Sequence, residues 1–159
     1  MKNRNMKILP NTIDNVYKGS KISKYMFLFL TIVTVVRSLI HIIAVDGGAQ
    51  SIATIPLNSY SNAAAATVIL MFALWGLSQL LMSIVYAVVY YKYQSLIPAM
   101  YILLIIEYSM RLVIGIMKPI ETIGTAPGGI GNYILIPVCL ILFLMSINVS
   151  ENKKESYDE

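Results

Sequence analysis

Charged residues are scarce in this sequence, and acidic residues are the scarcer of the two signs. Only 13% of the 159 residues are charged, with eight Asp or Glu against twelve Lys or Arg. Because a soluble domain carries about 25% charged residues, this composition argues against a soluble globular protein. The 57% hydrophobic content indicates an integral membrane protein instead, with one domain at this length.

Cysteine and histidine are almost absent as well. Cys139 has no partner for an internal disulfide, and His41 is the one histidine of the chain. No spacing typical of metal ligands is present, so the sequence predicts neither a metal nor another cofactor. The pI near 9.1 comes from lysines that flank the apolar runs. It therefore indicates membrane topology and gives no support to nucleic-acid binding.

Four apolar runs are long enough to cross a bilayer, which takes about 20 residues. They occupy residues 25–45, 63–90, 96–117 and 133–149. The first run is longer than the core of a cleaved signal peptide and contains ionisable groups, which argues against that interpretation. The fold class expected is all-α, an integral membrane four-helix bundle followed by a polar tail at 150–159.

Positive charges in the flanks of these runs predict the topology. Nine of them fall on one side, namely Lys2, Arg4, Lys7, Lys18, Lys21, Lys24, Lys92, Lys153 and Lys154. Lys118 alone falls on the other side. Since Lys and Arg in short flanks stay in the cytoplasm, both termini are expected there, in a multi-pass protein of the cell membrane. An even number of spans requires the same arrangement.

The basic leader, residues 1–24, has two open interpretations. Asn11 or Thr12 is a suitable cap for a short helix whose apolar face would contain Ile13, Val16 and Tyr17. Such a helix would lie on the anionic inner leaflet of the membrane. A disordered basic arm fits the same residues equally well.

Polar residues recur inside three of the apolar runs, each time as a pair four residues apart. The pairs are Arg37 and His41, Trp75 and Gln79, and Glu107 and Arg111. At i,i+4 spacing each pair lies on one helix face. With a rise of 1.5 Å per residue, depths can be compared between antiparallel spans. One layer near mid-membrane then contains Arg37, Gln79 and Glu107, and the other three residues lie one turn further out.

Ionisable groups in hydrocarbon are costly, so they mark a functional site by default. Glu107 can pair with Arg111 on its own helix, or it can serve Arg37 as well. In both cases the layer keeps one net positive charge, for which Asp46 is the nearest compensating acid. Guanidinium groups suit carboxylates and phosphates. We therefore expect an outward-opening cavity that receives a small anionic or lipid-headgroup ligand.

Three functions remain open on this evidence. The first is a binding or transport module with an arginine-lined pocket. The second is a membrane enzyme acting on a lipid or quinone, with Glu107 or His41 exchanging protons. The third is an accessory subunit without a ligand, in which the charges fix helix register. The partners expected are membrane lipids, and a second copy of the chain or another membrane protein is compatible with the pattern.

Short motifs in the first three runs resemble those of the DoxX-like family of small four-span membrane proteins. They are Arg37-Ser38-Leu39-Ile40-His41, Gly76-Leu77-Ser78-Gln79-Leu80 and Arg111-Leu112-Val113-Ile114-Gly115. The resemblance implies a four-helix bundle. Some members of that family are associated with quinone-linked redox chemistry or act as membrane partners of redox enzymes. No redox centre is evident in this chain, so that activity is not transferred to it.

Overall fold

The computed structural model describes residues 9–147, and within that range it is helical, without strands. Its four long helices are α1 (Lys21–Ile43), α2 (Asn62–Lys92), α3 (Ile97–Met117) and α4 (Pro127–Ser146). Short 3-10 turns, Leu57–Ser59 and Gln94–Leu96, precede α2 and α3. All four helices are long and apolar enough to span a membrane. The all-α prediction with four helices is thus confirmed.

Helix ends follow local capping chemistry. The Ser20 side chain accepts a hydrogen bond from the Ile22 amide, and Ser61 does the same for Ala64; both satisfy free N–H groups of a first turn. α4 begins at Pro127, six residues before the predicted start. Proline is well suited to a first helical turn, and the helix continues through Gly128, Gly129 and Gly131, which precede the predicted apolar run.

Residues 9–20 of the leader are not helical, so the interfacial-helix interpretation is wrong for this segment, and residues 21–24 belong to the start of α1. This segment instead crosses the ends of other helices. The Asp14 amide donates to Ser95 Oγ at 3.0 Å, and Asn15 Nδ2 donates to the Tyr91 carbonyl at 3.1 Å. Residues 1–8 and the predicted tail at 150–159 lie outside the described residues.

The helices form two antiparallel pairs, α1 with α2 and α3 with α4, and α1 also packs against α4. The start of α1 meets the end of α4, where the Ser20 amide donates to the Met145 carbonyl at 2.9 Å. We call this the Ser20 end of the molecule. The opposite end, where α1 leads into the turn at Asp46, is called the Asp46 end.

The main apolar core lies towards the Ser20 end. Phe27 is fully buried, and its ring makes edge contacts with Tyr86 and Tyr101 at 5.6 and 5.7 Å between centroids. The Tyr101 hydroxyl donates to the Ser23 carbonyl at 2.7 Å, so the buried phenol is satisfied. These contacts join α1, α2 and α3 into one unit.

The two helix pairs differ towards the Asp46 end. Residues 44–61 fold back onto α2, where buried Ala49, Ile55 and Leu57 pack near Phe72. On α3 and α4, by contrast, an added Cβ at four glycines would meet nothing within 4 Å: Gly115, Gly128, Gly129 and Gly131. Two hydrogen bonds cross between the pairs here, both at Thr54: its Oγ1 donates to the Gly124 carbonyl at 2.8 Å, and its carbonyl accepts from the Ile123 amide at 2.9 Å.

Candidate functional site

Close packing of α1 and α2 positions a cluster of side chains that we call the Trp75 centre, which consists of Arg37, His41, Trp75, Gln79, Glu107 and Arg111. A Cβ added at Gly76 would lie 2.7 Å from His41 Cβ and 3.0 Å from the Ser38 carbonyl oxygen. Those distances are shorter than normal contacts, so only glycine lets the backbones approach this closely. The buried Ser38 hydroxyl donates to the Thr34 carbonyl of its own helix at 2.7 Å. The hydroxyl therefore has a hydrogen-bond partner, and this small side chain lets α2 pack closely against α1.

Arg37 of α1 and Gln79 of α2 contact each other across this helix interface, which we call the α1–α2 seam. Arg37 Nε donates to Gln79 Oε1 at 3.0 Å. Gln79 is 5% exposed, whereas Arg37 is only partly buried. This is the hydrogen bond expected of two residues at one depth on neighbouring antiparallel helices. Among the described residues Arg37 has no acidic partner, since its contact is with a neutral amide.

Glu107 and Arg111 form an ion pair along α3, and it is the only ion pair within residues 9–147. Arg111 donates from one terminal nitrogen to Glu107 Oε1. The i,i+4 spacing with Glu first is the favourable order. Glu107 forms this ion pair with Arg111 and none with Arg37 among the described residues, although it interacts with Arg37 electrostatically at longer range.

The arginines meet instead at the indole of Trp75. The guanidinium carbon of Arg111 lies 5.0 Å from the Trp75 ring centroid, and that of Arg37 lies 6.0 Å from it. Both distances are within the range of cation–π attraction. The indole stays 39% exposed, so it brings the polar residues of three helices together while one part of it remains accessible.

His41 joins the same centre and anchors the turn that follows α1. Its Nδ1 lies 2.7 Å from the Gly47 carbonyl oxygen, and since a carbonyl only accepts, Nδ1 carries the proton. Its ring lies 4.8 Å from the Trp75 ring and 5.6 Å from that of Phe72. The structure thus places His41 as a hydrogen-bonding and packing residue, with Nε2 left for any proton exchange.

Asp46 forms no ion pair with Arg37 or Arg111 among the described residues, and its hydrogen bonds are with backbone amides. Its carboxylate accepts hydrogen bonds from the amides of Gly48, Gln50 and Ser51, at 2.9, 3.1 and 2.6 Å. Partial burial raises the pKa of this carboxyl, but these hydrogen bonds outweigh it and lower the pKa to about 2. The acid stabilises its own turn, in which Gly47 and Gly48 have φ of 60° and 73°.

Three neighbours of the centre are absent from the sequence prediction. Phe72 makes an edge contact with Trp75 at 5.8 Å, Tyr108 lies 5.6 Å from the Arg111 guanidinium carbon, and Gly76 allows the close approach of α1. Phe72 and Tyr108 are each three residues from a predicted site residue, so helical periodicity was the available signal. A lone glycine within an apolar run is the corresponding signal for Gly76.

The electrostatic balance of the centre is one positive charge in excess. Arg37 is within electrostatic range of both Arg111 and Glu107, and the three formal charges sum to +1. No three His, Cys, Asp or Glu side chains within residues 9–147 are placed to hold a metal ion. The chemistry of the centre is therefore that of hydrogen-bond donors and aromatic faces around two cations.

Comparison of the chain with protein-family models, with curated proteins and with solved structures gave no match.

Proposed function

We propose that the protein is a multi-pass protein of the cell membrane that binds a small anionic or lipid-headgroup ligand at the Trp75 centre. Four membrane-length apolar helices support this setting. Large apolar side chains also remain exposed around the helices, as at Leu70, Leu81 and Leu144, which are 56%, 57% and 62% exposed. A surface of this kind suits contact with lipid.

The orientation proposed has both termini in the cytoplasm and the Asp46 end facing outward. The lysines of the described leader, Lys18, Lys21 and Lys24, belong to the Ser20 end, and so does Lys92. Since positive flanks are retained in the cytoplasm, these residues support that orientation. α2 has 31 residues and is about 46 Å long, so it extends beyond the hydrocarbon layer.

The observation that carries the ligand proposal is Arg37. It is a permanent cation within the apolar helix α1, and its hydrogen-bond partner within residues 9–147 is a neutral amide. Arg111 has its own acid on α3. A cation at this depth calls for a counter-charge, and an anion beside Arg37 supplies it. The sparsely packed α3 and α4 segments at the Asp46 end support entry from the outer side.

The test uses Trp75, the one tryptophan of the chain, as a fluorescence reporter. The protein is titrated with decanoate in an uncharged detergent, and decanol controls for partitioning into the micelle. We expect a saturable change with decanoate alone. Arg37→Gln should weaken it by about tenfold or more, because a hydrogen bond to a charged group is lost.

Lys118→Gln is the matched control, since it removes one positive charge from an exposed site at the end of α3. It should bind decanoate like the wild type. The proposal fails if Arg37→Gln binds as tightly as Lys118→Gln, or if the wild type gives no saturable signal.

A second candidate function is that of an accessory subunit held by a partner membrane protein, and one observation favours it. At the Asp46 end, α3 and α4 expose Ile116, Met117 and Tyr133 by 77%, 71% and 67%. A partner helix could cover this face. Membership of the DoxX-like family, on the motifs around Arg37, Gln79 and Arg111, is compatible with both functions and remains a proposal. The accessory role would be favoured if a stoichiometric partner co-purifies with the protein and the purified protein does not bind decanoate.

A further inference from the structure

The amide of Gln79 has an unused donor. Its oxygen accepts from Arg37 Nε at 3.0 Å, and because a guanidinium has no acceptor, this bond fixes which way the amide points. The amide nitrogen is then the atom of the amide group that is not hydrogen-bonded to Arg37. It is buried and has no hydrogen-bond partner among the described residues, on a side chain that is 5% exposed.

An unpaired buried N–H is costly, and fewer than about one in ten buried polar groups is left in that state. The terminal nitrogens of Arg37 also have no acceptor among the described residues. The Arg37–Gln79 hydrogen bond of the α1–α2 seam is therefore flanked by donors of two helices that lack an acceptor among the described residues, the Arg37 terminal nitrogens and Gln79 Nε2. Water can satisfy such donors, but it cannot compensate the excess positive charge.

The size of that charge restricts the ligand. Glu107 offsets Arg111, so Arg37 leaves a sum of +1 at the centre. A single negative charge balances it, whereas a dianion would leave an excess of opposite sign. The planar guanidinium with an adjacent amide donor matches an anion that has two or more oxygen acceptors.

We propose that Arg37 and Gln79 together bind one oxyanion group of single negative charge, a carboxylate or a phosphodiester. This inference rests on the proposed function and names the ligand class of that site. Arg37 contributes the charge and Gln79 Nε2 a second hydrogen bond to the anion. The ring centroid of Trp75 lies 6.0 Å from the Arg37 guanidinium carbon. An anion bound at Arg37 would therefore lie close to the indole and change its fluorescence.

The decisive variant is Gln79→Glu, which places a carboxylate of the protein beside Arg37. This internal acid takes the place of the ligand, so decanoate should bind at least about tenfold more weakly. Gln79→Met keeps the length of the side chain but removes the amide donor, and should weaken decanoate binding by about tenfold. Gln94→Glu makes the same chemical change in the turn between α2 and α3 and should bind decanoate like the wild type.

Further probes identify the anionic group that binds and the kind of molecule that carries it. Acetate shows whether a carboxylate suffices without an apolar chain, and dihexanoylphosphatidylglycerol presents a phosphodiester headgroup. Saturable binding of decanoate or of this lipid, with sulfate and chloride at least about tenfold weaker, supports an oxyanion of single charge. Sulfate or chloride binding as tightly as decanoate overturns it.

The two proposals fail in different ways. If Arg37→Gln abolishes decanoate binding but Gln79→Glu and Gln79→Met retain it, the role of Gln79 is wrong and the proposed function stands. If all three variants bind like the wild type, both proposals are wrong. Should Gln79→Glu not fold, as judged by circular dichroism, Gln79→Met decides the outcome.

Discussion

The two helix pairs differ in the partners of their arginines. On α1, Arg37 reaches across a tight seam to the neutral amide of Gln79, while on α3 Arg111 is paired with Glu107 of the same helix. The seam of the first pair admits no Cβ at Gly76, whereas Gly115 of α3 has nothing within 4 Å. One pair therefore holds an uncompensated cation in a rigid setting, and the other holds a neutral ion pair in an open one.

This difference separates stability from binding. A cation with its acid beside it contributes to the folded state and has little remaining attraction for a ligand. A cation held by a neutral amide contributes less to folding and keeps its charge for a partner. We therefore expect substitutions on α3 to affect mainly stability, and those at the α1–α2 seam to affect mainly binding and packing.

The largest effect on stability is expected from Arg111→Gln. It leaves Glu107 without its ion pair, and the loss should be about 2–3 kcal/mol, reduced from the value for a fully buried pair because the Arg111 and Glu107 side chains are 18% and 33% exposed. Arg37→Gln leaves no acid unpaired but removes the donor to the buried Gln79 oxygen, so it should cost about 1 kcal/mol. Thermal unfolding in detergent, followed by circular dichroism, measures both. Equal losses would show that the two arginines are equivalent.

The next effect is steric. Gly76→Ala places a Cβ 2.7 Å from His41 Cβ, and overpacking of this kind should cost about 1–2 kcal/mol after the gain in helix propensity. Gly115→Ala adds the same methyl group where it meets nothing within 4 Å, so it should gain up to about 1 kcal/mol. The difference in melting temperature between these variants measures the tightness of the seam. A stabilised Gly76→Ala protein would refute the close approach.

The smallest effect concerns the turns that follow α1 and α3. Asp46→Asn removes one carboxylate oxygen from a turn in which three amides donate to it, at a cost of about 1 kcal/mol. The folded pKa of Asp46, about 2, lies below its usual 3.8. Its contribution to stability is therefore complete above about pH 4 and is lost as the pH falls towards 2.

Unfolding followed between pH 5 and 2 should show this loss in the wild type and a smaller one in Asp46→Asn. Glu121→Gln, in the exposed segment between α3 and α4, is the matched control and should leave stability unchanged. A wild type and Asp46→Asn protein with parallel pH profiles would contradict the role of Asp46.

Much of the fold follows from the sequence because hydrophobic run length and i,i+4 spacing are local properties. They predict four helices, and they place Trp75 and Gln79 on one face of α2. The position of α4 was predicted less well, since Pro127 starts a helix through glycines that usually indicate a loop. Capping chemistry and context decide such a segment, and neither is visible in a hydropathy pattern.

The partners of the charges depend on helix rotation and on which helices pack together, and neither property is local. Depth alone made Glu107 an equal candidate for both arginines. The packing of α1 against α2 makes Gln79 the hydrogen-bond partner of Arg37, and the turn geometry makes backbone amides the partners of Asp46. Long-range contacts of this kind cannot be predicted from the local residue pattern of a single sequence.

The junction between the start of α1 and the end of α4 has a consequence for biosynthesis. Ser23 Oγ donates to the Leu142 carbonyl at 2.8 Å, across 119 residues of chain, next to the bond from the Ser20 amide to Met145. During synthesis α1 can meet α2 early, but these bonds must wait until α4 has been made. The contact between α1 and α4 therefore forms late in folding, and a nascent chain stalled before α4 would expose the face of α1 that α4 covers to quality-control proteases.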